Sequence, residues 1–290
     1  MQSTPSSRTV AAAGLVFVLL WSTGYIAAKF GLGGSGAYTL AVLRFVGSAL
    51  LIGFWLLLQR PATTPRPSDL RRAALAGVLL QGGFFGFIYA AMHAGVSPAA
   101  AGLIAGLMPL VTALGARWFL GEPLARFALP GMALGLAGVL LVIAPKLSQP
   151  GSLLGYALAA CALLALSGGT LYQRRNAGQL DPRLSLLMQL LASFIVMLPL
   201  ALVFEGMHIV PSLEWAGGLL WIILVNSCAG LLLYLWLPNH GSAGSVSALF
   251  FLVPPVTAGL AALVFGEALT LVEACGFALA ALGVWLGQRR

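Results

Sequence analysis

Ten apolar runs follow one another along the chain, at about 10–30, 38–58, 72–92, 97–119, 126–144, 151–173, 184–204, 214–236, 243–265 and 270–287. Each is close to the ~20 residues that a helix needs to cross the hydrocarbon core of a bilayer. Only a helix pairs every backbone N–H and C=O within one such run, and lipid offers no substitute partner. The expected fold is therefore an all-α membrane protein with ten transmembrane helices. Composition removes the soluble alternative: charged residues make up 8% of the 290 and hydrophobic residues 60%, whereas soluble domains carry about 25% charge. Once the spans are set aside, no length remains for a soluble catalytic domain.

In a soluble protein the net charge of +8 would suggest nucleic acid. Here the basic residues read instead as anchors of cytoplasmic loops, so no nucleic-acid partner is expected. With the N-terminus inside, Arg8, Arg60, Arg66, Arg71, Arg72, Arg117, Arg126, Arg174, Arg175, Arg183, Arg289 and Arg290 all reach the inner face. The outer side keeps only Lys29 and Lys146. Both termini are accordingly assigned to the cytoplasm. The three cysteines, Cys161, Cys228 and Cys275, lie in apolar runs and read as small packing residues, without a disulfide framework.

The chain also repeats itself. Tyr89, Pro109, Gly121-Glu122, Gly131 and Gly138 reappear 145 residues later as Tyr234, Pro254, Gly266-Glu267, Gly276 and Gly283. Residues 1–145 and 146–290 thus read as two five-helix units. An odd number of helices makes the second unit enter the membrane upside down, and the charges follow. The loop after the second run carries four arginines, while its counterpart carries Glu205 and Glu214. Inverted repeats with a site between them near midplane are the architecture of secondary transporters. A scaffold of two stacked units is the plainer alternative.

These residues also carry a family resemblance. Leu20-Trp21-Ser22-Thr23-Gly24 with Lys29, Leu43-Arg44-Phe45, and Pro109…Gly121-Glu122 repeated as Pro254…Gly266-Glu267 resemble the EamA family of the drug/metabolite transporter superfamily over essentially the whole chain. Ser167-Gly168-Gly169 departs from the tryptophan that members often carry there. The resemblance implies a ten-helix inner-membrane carrier, usually an exporter of amino acids or other small metabolites, with no cofactor. The expected partners are a small-molecule substrate and membrane lipid, in a monomer or homodimer. Export of drug-like organic solutes is the alternative within that class.

Polar groups inside spans face the bundle interior. Trp21, Ser22, Tyr25, Gln81, Tyr89, His93, Ser167, Gln189, Asn226, Tyr234 and Asn239 are therefore candidates to line a substrate cavity. Arg44 lies about six residues into the second span, where it either offers a fork to a substrate carboxylate or snorkels to the surface. Its repeat mate is the neutral Gln189. His93, at the outer end of the third span, suits an interfacial position better than a proton relay. Pro109 and Pro254 interrupt matching helices and are candidate hinges. Glu122 and Glu267 read as acids after a turn glycine, where a helix dipole favours them. No Walker-type phosphate loop exists, and no metal site is expected. The sharpest enzyme alternative, an intramembrane serine protease using Ser35 in Gly33-Gly34-Ser35-Gly36, rests on a match that arises easily among 36 glycines.

Overall fold

The computed structural model describes residues 7–61, 64–146, 152–176, 180–230, 233, 252–266 and 269–287. In chain order its helices are α1 (Ser7–Leu32), α2 (Ala37–Leu58), α3 (Pro67–His93), α4 (Pro98–Phe119) and α5 (Ala128–Ile143). The second half holds α6 (Ser152–Arg175), α7 (Pro182–Glu205), α8 (Leu213–Trp221, continued by π-helical Ile222–Ala229), α9 (Val253–Phe265) and α10 (Leu271–Gly287). Among the described residues there is no strand, only an isolated bridge between Ser35 and Ile209. Six helices, α1 to α4, α6 and α7, are long and apolar enough to cross a membrane, and the other four are shorter apolar helices. Residues 234–251, where the eighth and ninth apolar runs end and begin, lie outside the described residues.

Helix ends follow local chemistry. Ser97 accepts a hydrogen bond from the Ala100 N–H and precedes Pro98; Asp181 likewise caps α7 ahead of Pro182. Gly121 and Gly266 end α4 and α9 at φ +69° and +65°, a backbone region that glycine enters without a Cβ clash. Helix α3 starts earlier than the apolar run because its first turn, with Asp69, Arg71 and Arg72, is polar and escapes a hydropathy reading.

Two local irregularities recur at the repeat spacing. Helix α3 passes through a π-helical stretch at Val78–Gly83, and α8 through one at Ile222–Ala229. Helix α4 breaks at Gly106–Leu107 and resumes at Met108, while α9 starts at Val253 after Leu252. Pro109 sits in the first turn after the α4 break and Pro254 in the first turn of α9, where a missing N–H costs least. The α4 break packs on the start of α9: a Cβ built at Gly106 would lie 2.7 Å from Pro254 Cγ.

Packing pairs the halves. Helix α1 lies on α8 and α9, and its mate α6 lies on α3 and α4; α2 packs on α7 and α5 on α10. The α5–α10 contact is antiparallel and made of glycines. Gly131 faces Gly283 and Gly287, and Gly138 faces Gly276 and Ala280, closely enough that a Cβ would strike the opposing backbone. Small residues of this kind let helix backbones approach in lipid. The interior is polar where the exterior is not: Ser22, Thr39, Ser48, Ser193 and Thr257 are fully buried, whereas Leu57, Leu213 and Leu271 are more than three-quarters exposed. Cys161 and Cys275 are free and exposed on the outside of the bundle, not packed within it as the sequence reading had them. An apolar thiol suits a lipid-facing position as well as a buried one.

Replacing Gly283 by valine forces the α5–α10 backbones apart and should cost about 1–3 kcal/mol, read as a lower melting temperature in detergent. Gly217, which has open space at its Cβ position, serves as control when replaced by alanine. Equal melting temperatures for both variants would contradict the tight α5–α10 contact.

Candidate functional site

A cavity of about 490 Å³ runs into the bundle between α1 to α4 and α6 to α9. Its mouth is formed by the start of α3 (Asp69, Arg72, Ala73), the end of α6 (Tyr172 to Asn176) and the start of α7 (Pro182, Ser185). All three are helix ends rich in arginine, so the cavity opens on the arginine-bearing face. Deeper, the wall is largely apolar and aromatic, with Trp21, Leu80, Phe84, Phe85, Leu166, Leu186 and Leu190. The floor lies against the α4 break and the start of α9, at Gly106, Met108 and Val253. An apolar pocket with a few converging polar groups is the usual form of a small-molecule site.

Arg44 stands at the inner end of this space. Its residue is 7% exposed. Nη1 donates to Tyr89 Oη at 2.6 Å, and the guanidinium lies 3.5 Å over the Phe85 ring. Nε is sealed without a partner, and the residue lines the cavity. No carboxylate pairs with Arg44 among the described residues; the ion pairs there are Arg72–Asp69, Arg174–Glu122 and Arg183–Asp181. A buried guanidinium held only by a phenol and a ring keeps most of its charge uncompensated. The Phe85 stack and the Tyr89 bond fix its direction.

Of the residues expected to line a site, Trp21, Tyr25, Arg44, Gln81, Gln189 and Asn226 do so. Gln81 and Asn226 are repeat mates, and each sits on a π-helical stretch, an irregularity that often marks functional positions. Three others stand behind the wall. Tyr89 supports Arg44; Ser22 Oγ donates to Val253 O at 3.3 Å; Ser167 is buried with its Oγ unpartnered. His93 is exposed at the last turn of α3, away from the cavity wall, because its polar ring leaves the apolar interior at the helix end. Tyr234 and Asn239 lie outside the described residues, as does Glu267. Ser35 Oγ donates to Gly31 O and accepts from Trp215 Nε1 at 3.2 Å, tying the α1–α2 loop to α8.

Glu122 pairs with Arg174 at 2.7 Å beside the mouth. Asp181 is held below the usual carboxylate range, first by the side-chain hydrogen bond from Arg183. Sequence reasoning missed Phe85 and the mouth residues Asp69, Arg72 and Arg174, while Thr170, the mate of Tyr25, was legible with the other polar groups of the spans and lines the cavity. Phe85 was findable: Gln81, Phe85 and Tyr89 are spaced by four and so share one face of α3. Among the described residues no three His, Cys, Asp or Glu side chains gather to hold a metal.

The family model described as the EamA-like transporter family matches residues 8–144 and again 153–287. A probable amino-acid metabolite efflux pump of Salmonella typhimurium is 29% identical over 287 residues, covering 94% of this chain and 92% of that protein. YedA of Escherichia coli K12, an uncharacterized inner membrane transporter, is 26% identical over 267 residues, covering 90% and 85%. A solved structure titled only as a crystal structure of protein superposes with a TM-score of 0.69 at 22% identity, over 98% of this chain and 97% of that one. That likeness speaks to the fold.

Removing the Tyr89 hydroxyl leaves a further buried guanidinium donor unsatisfied. Tyr89→Phe is expected to lower stability by about 1–3 kcal/mol, measured as thermal unfolding in detergent. An unchanged melting temperature would contradict the supporting role of Tyr89.

Proposed function

The chain belongs to the EamA-like transporter family, and we propose that it is an inner-membrane secondary carrier exporting small amphipathic solutes that bear a carboxylate, amino acids foremost. The observation that carries this reading is Arg44: a buried cation at the end of a cavity, with no acidic partner among the described residues. A solute carboxylate supplies the missing charge and meets a preset guanidinium. Around it the aromatic wall of Trp21, Phe84 and Phe85 accepts an apolar body. At the mouth Arg72 pairs with Asp69 and Arg174 with Glu122, so the uncompensated positive charge among the described cavity residues is that of Arg44. The efflux pump of Salmonella typhimurium, named for amino-acid metabolites, supports the substrate class.

In this reading residues 1–145 and 146–290 are inverted five-helix repeats making ten spans, with both termini in the cytoplasm. The arginine-bearing face, where the cavity opens, is then the cytoplasmic one, and the structure corresponds to the loading state of an exporter. The carrier works by alternating access, bending at Pro109 and Pro254, as a monomer or homodimer in lipid, without cofactor or nucleic acid. Among the described residues lining the cavity Asp69 is the one carboxylate, and it sits at the mouth. This favours facilitated diffusion or exchange over a carboxylate proton relay. The depth of the aromatic wall favours one second reading, a drug-like organic solute held mainly by ring stacking.

Arg44→Ala should lower the flux of carboxylate-bearing solutes by about tenfold to a hundredfold, while the protein still inserts and elutes as one species. Uncharged aromatic solutes should keep their flux if they are transported at all. Unchanged carboxylate flux in a correctly inserted Arg44→Ala protein would sink the role given to this residue.

A further inference from the structure

The two ends of the bundle differ, and the 145-residue spacing allows the difference to be read position by position. Beyond the cavity, on the side away from the mouth, α1 is stitched to α8 and α9. Asn226 Nδ2 donates to Leu20 O at 2.6 Å, and Ser22 Oγ to Val253 O at 3.3 Å. Gly24 lies directly on Asn226, and a Cβ at Gly218 would be 2.6 Å from Ala27 O. This seam is shut.

The mates of these residues form the same seam between α6, α3 and α4, and there it is open. Gln81, the mate of Asn226, makes no side-chain hydrogen bond among the described residues and lines the cavity. Ser167, the mate of Ser22, is buried with its hydroxyl unpartnered. Ala73 and Tyr172, mates of Gly218 and Ala27, stand on the cavity wall. Gly169 rests on Leu80, with a built Cβ 2.8 Å from Leu80 Cγ, whereas its mate Gly24 rests on Asn226. The open seam is thus one residue short of the register that the shut seam holds.

We propose that Gln81 and Ser167 are the closing contacts of a gate at the mouth, made when Asn226 and Ser22 release the gate on the far side. In the shut register Gln81 donates to Ala165 O and Ser167 to Met108 O, the mates of Leu20 O and Val253 O. Ala73 and Tyr172 are bulkier than Gly218 and Ala27, so the seam seals at Gly169 and Gln81 while the Tyr172 ring fills the mouth. One buried serine hydroxyl in each half thereby has a partner in one state and none in the other, and the two states differ little in hydrogen-bond energy. That near-balance is what a two-state carrier requires. All four are positioning residues; Ser22 and Ser167 stand off the cavity wall, so replacing them separates gating from solute binding.

The inference rests on the carrier reading, and one experiment distinguishes them. The full chain, with Cys161, Cys228 and Cys275 replaced by serine and Thr170 on the cavity wall by cysteine, is placed in vesicles of known sidedness. A membrane-impermeant maleimide is then added to either face. Losing one net hydrogen bond shifts the equilibrium about fivefold. Ser22→Ala should lower the ratio of mouth-face to far-face labelling by about that factor, and Ser167→Ala should raise it. Asn226→Ala and Gln81→Ala should shift it in the same two senses, as an independent pair. A variant that fails to fold changes both rates together, not their ratio. Mates that shift the ratio in the same direction, or not at all, overturn the gate while two-sided labelling of the parent keeps the carrier. A parent protein labelled from one face only overturns both.

Discussion

Lipid donates and accepts no hydrogen bonds, and the rest of this structure depends on that one property of its solvent. Backbone groups must be satisfied inside each helix, which makes the described parts of the apolar runs helical. Polar side chains must turn inward, so Ser22, Thr39, Ser48, Ser193 and Thr257 fill the interior while large aliphatic residues face out. Because association then has little hydrophobic driving force, close backbone contact takes its place, as at Gly131, Gly138, Gly276 and Gly283. Irregular backbone is costly under the same constraint, and the π-helical stretches of α3 and α8 place Gln81 and Asn226 on the cavity wall, beside the break in α4 at Gly106–Leu107.

Arg44 is the exception on which the proposed function turns. Its charge is held in the interior by Tyr89 and Phe85 and left without a carboxylate among the described residues. A guanidinium in such a place is a cost to stability that a bound anion offsets, which links the packing of α2 and α3 to the chemistry of the proposed solute.

The all-helical membrane character was legible in the sequence because run length is a strong signal: six of the apolar runs form helices long enough to cross a membrane and the other four contain shorter apolar helices. Pro109 and Pro254, Gly121 and Gly266, and Gln81 and Asn226 occupy equivalent places in the two halves. Six of the candidate site residues were legible because a polar side chain in a span has only the interior to turn to. The rest was hidden for physical reasons. Hydropathy does not distinguish an aromatic ring facing lipid from one facing a cavity, which hid Phe85. Arg72 and Arg174 satisfy the charge rule for loops whether or not a cavity opens beside them. Tyr89 and Ser22 obeyed the inward rule but bond to protein groups, a distinction that depends on distances the sequence does not carry.

The most direct test is counterflow in liposomes, using labelled amino acids and small organic acids with unlabelled solute on the opposite side. A carrier with this cavity gives saturable flux that trans solute accelerates, strongest for solutes joining a carboxylate to an apolar body. Non-saturating flux with single-channel currents would contradict a carrier. Equal rates for carboxylates and their amides would contradict the place given to Arg44.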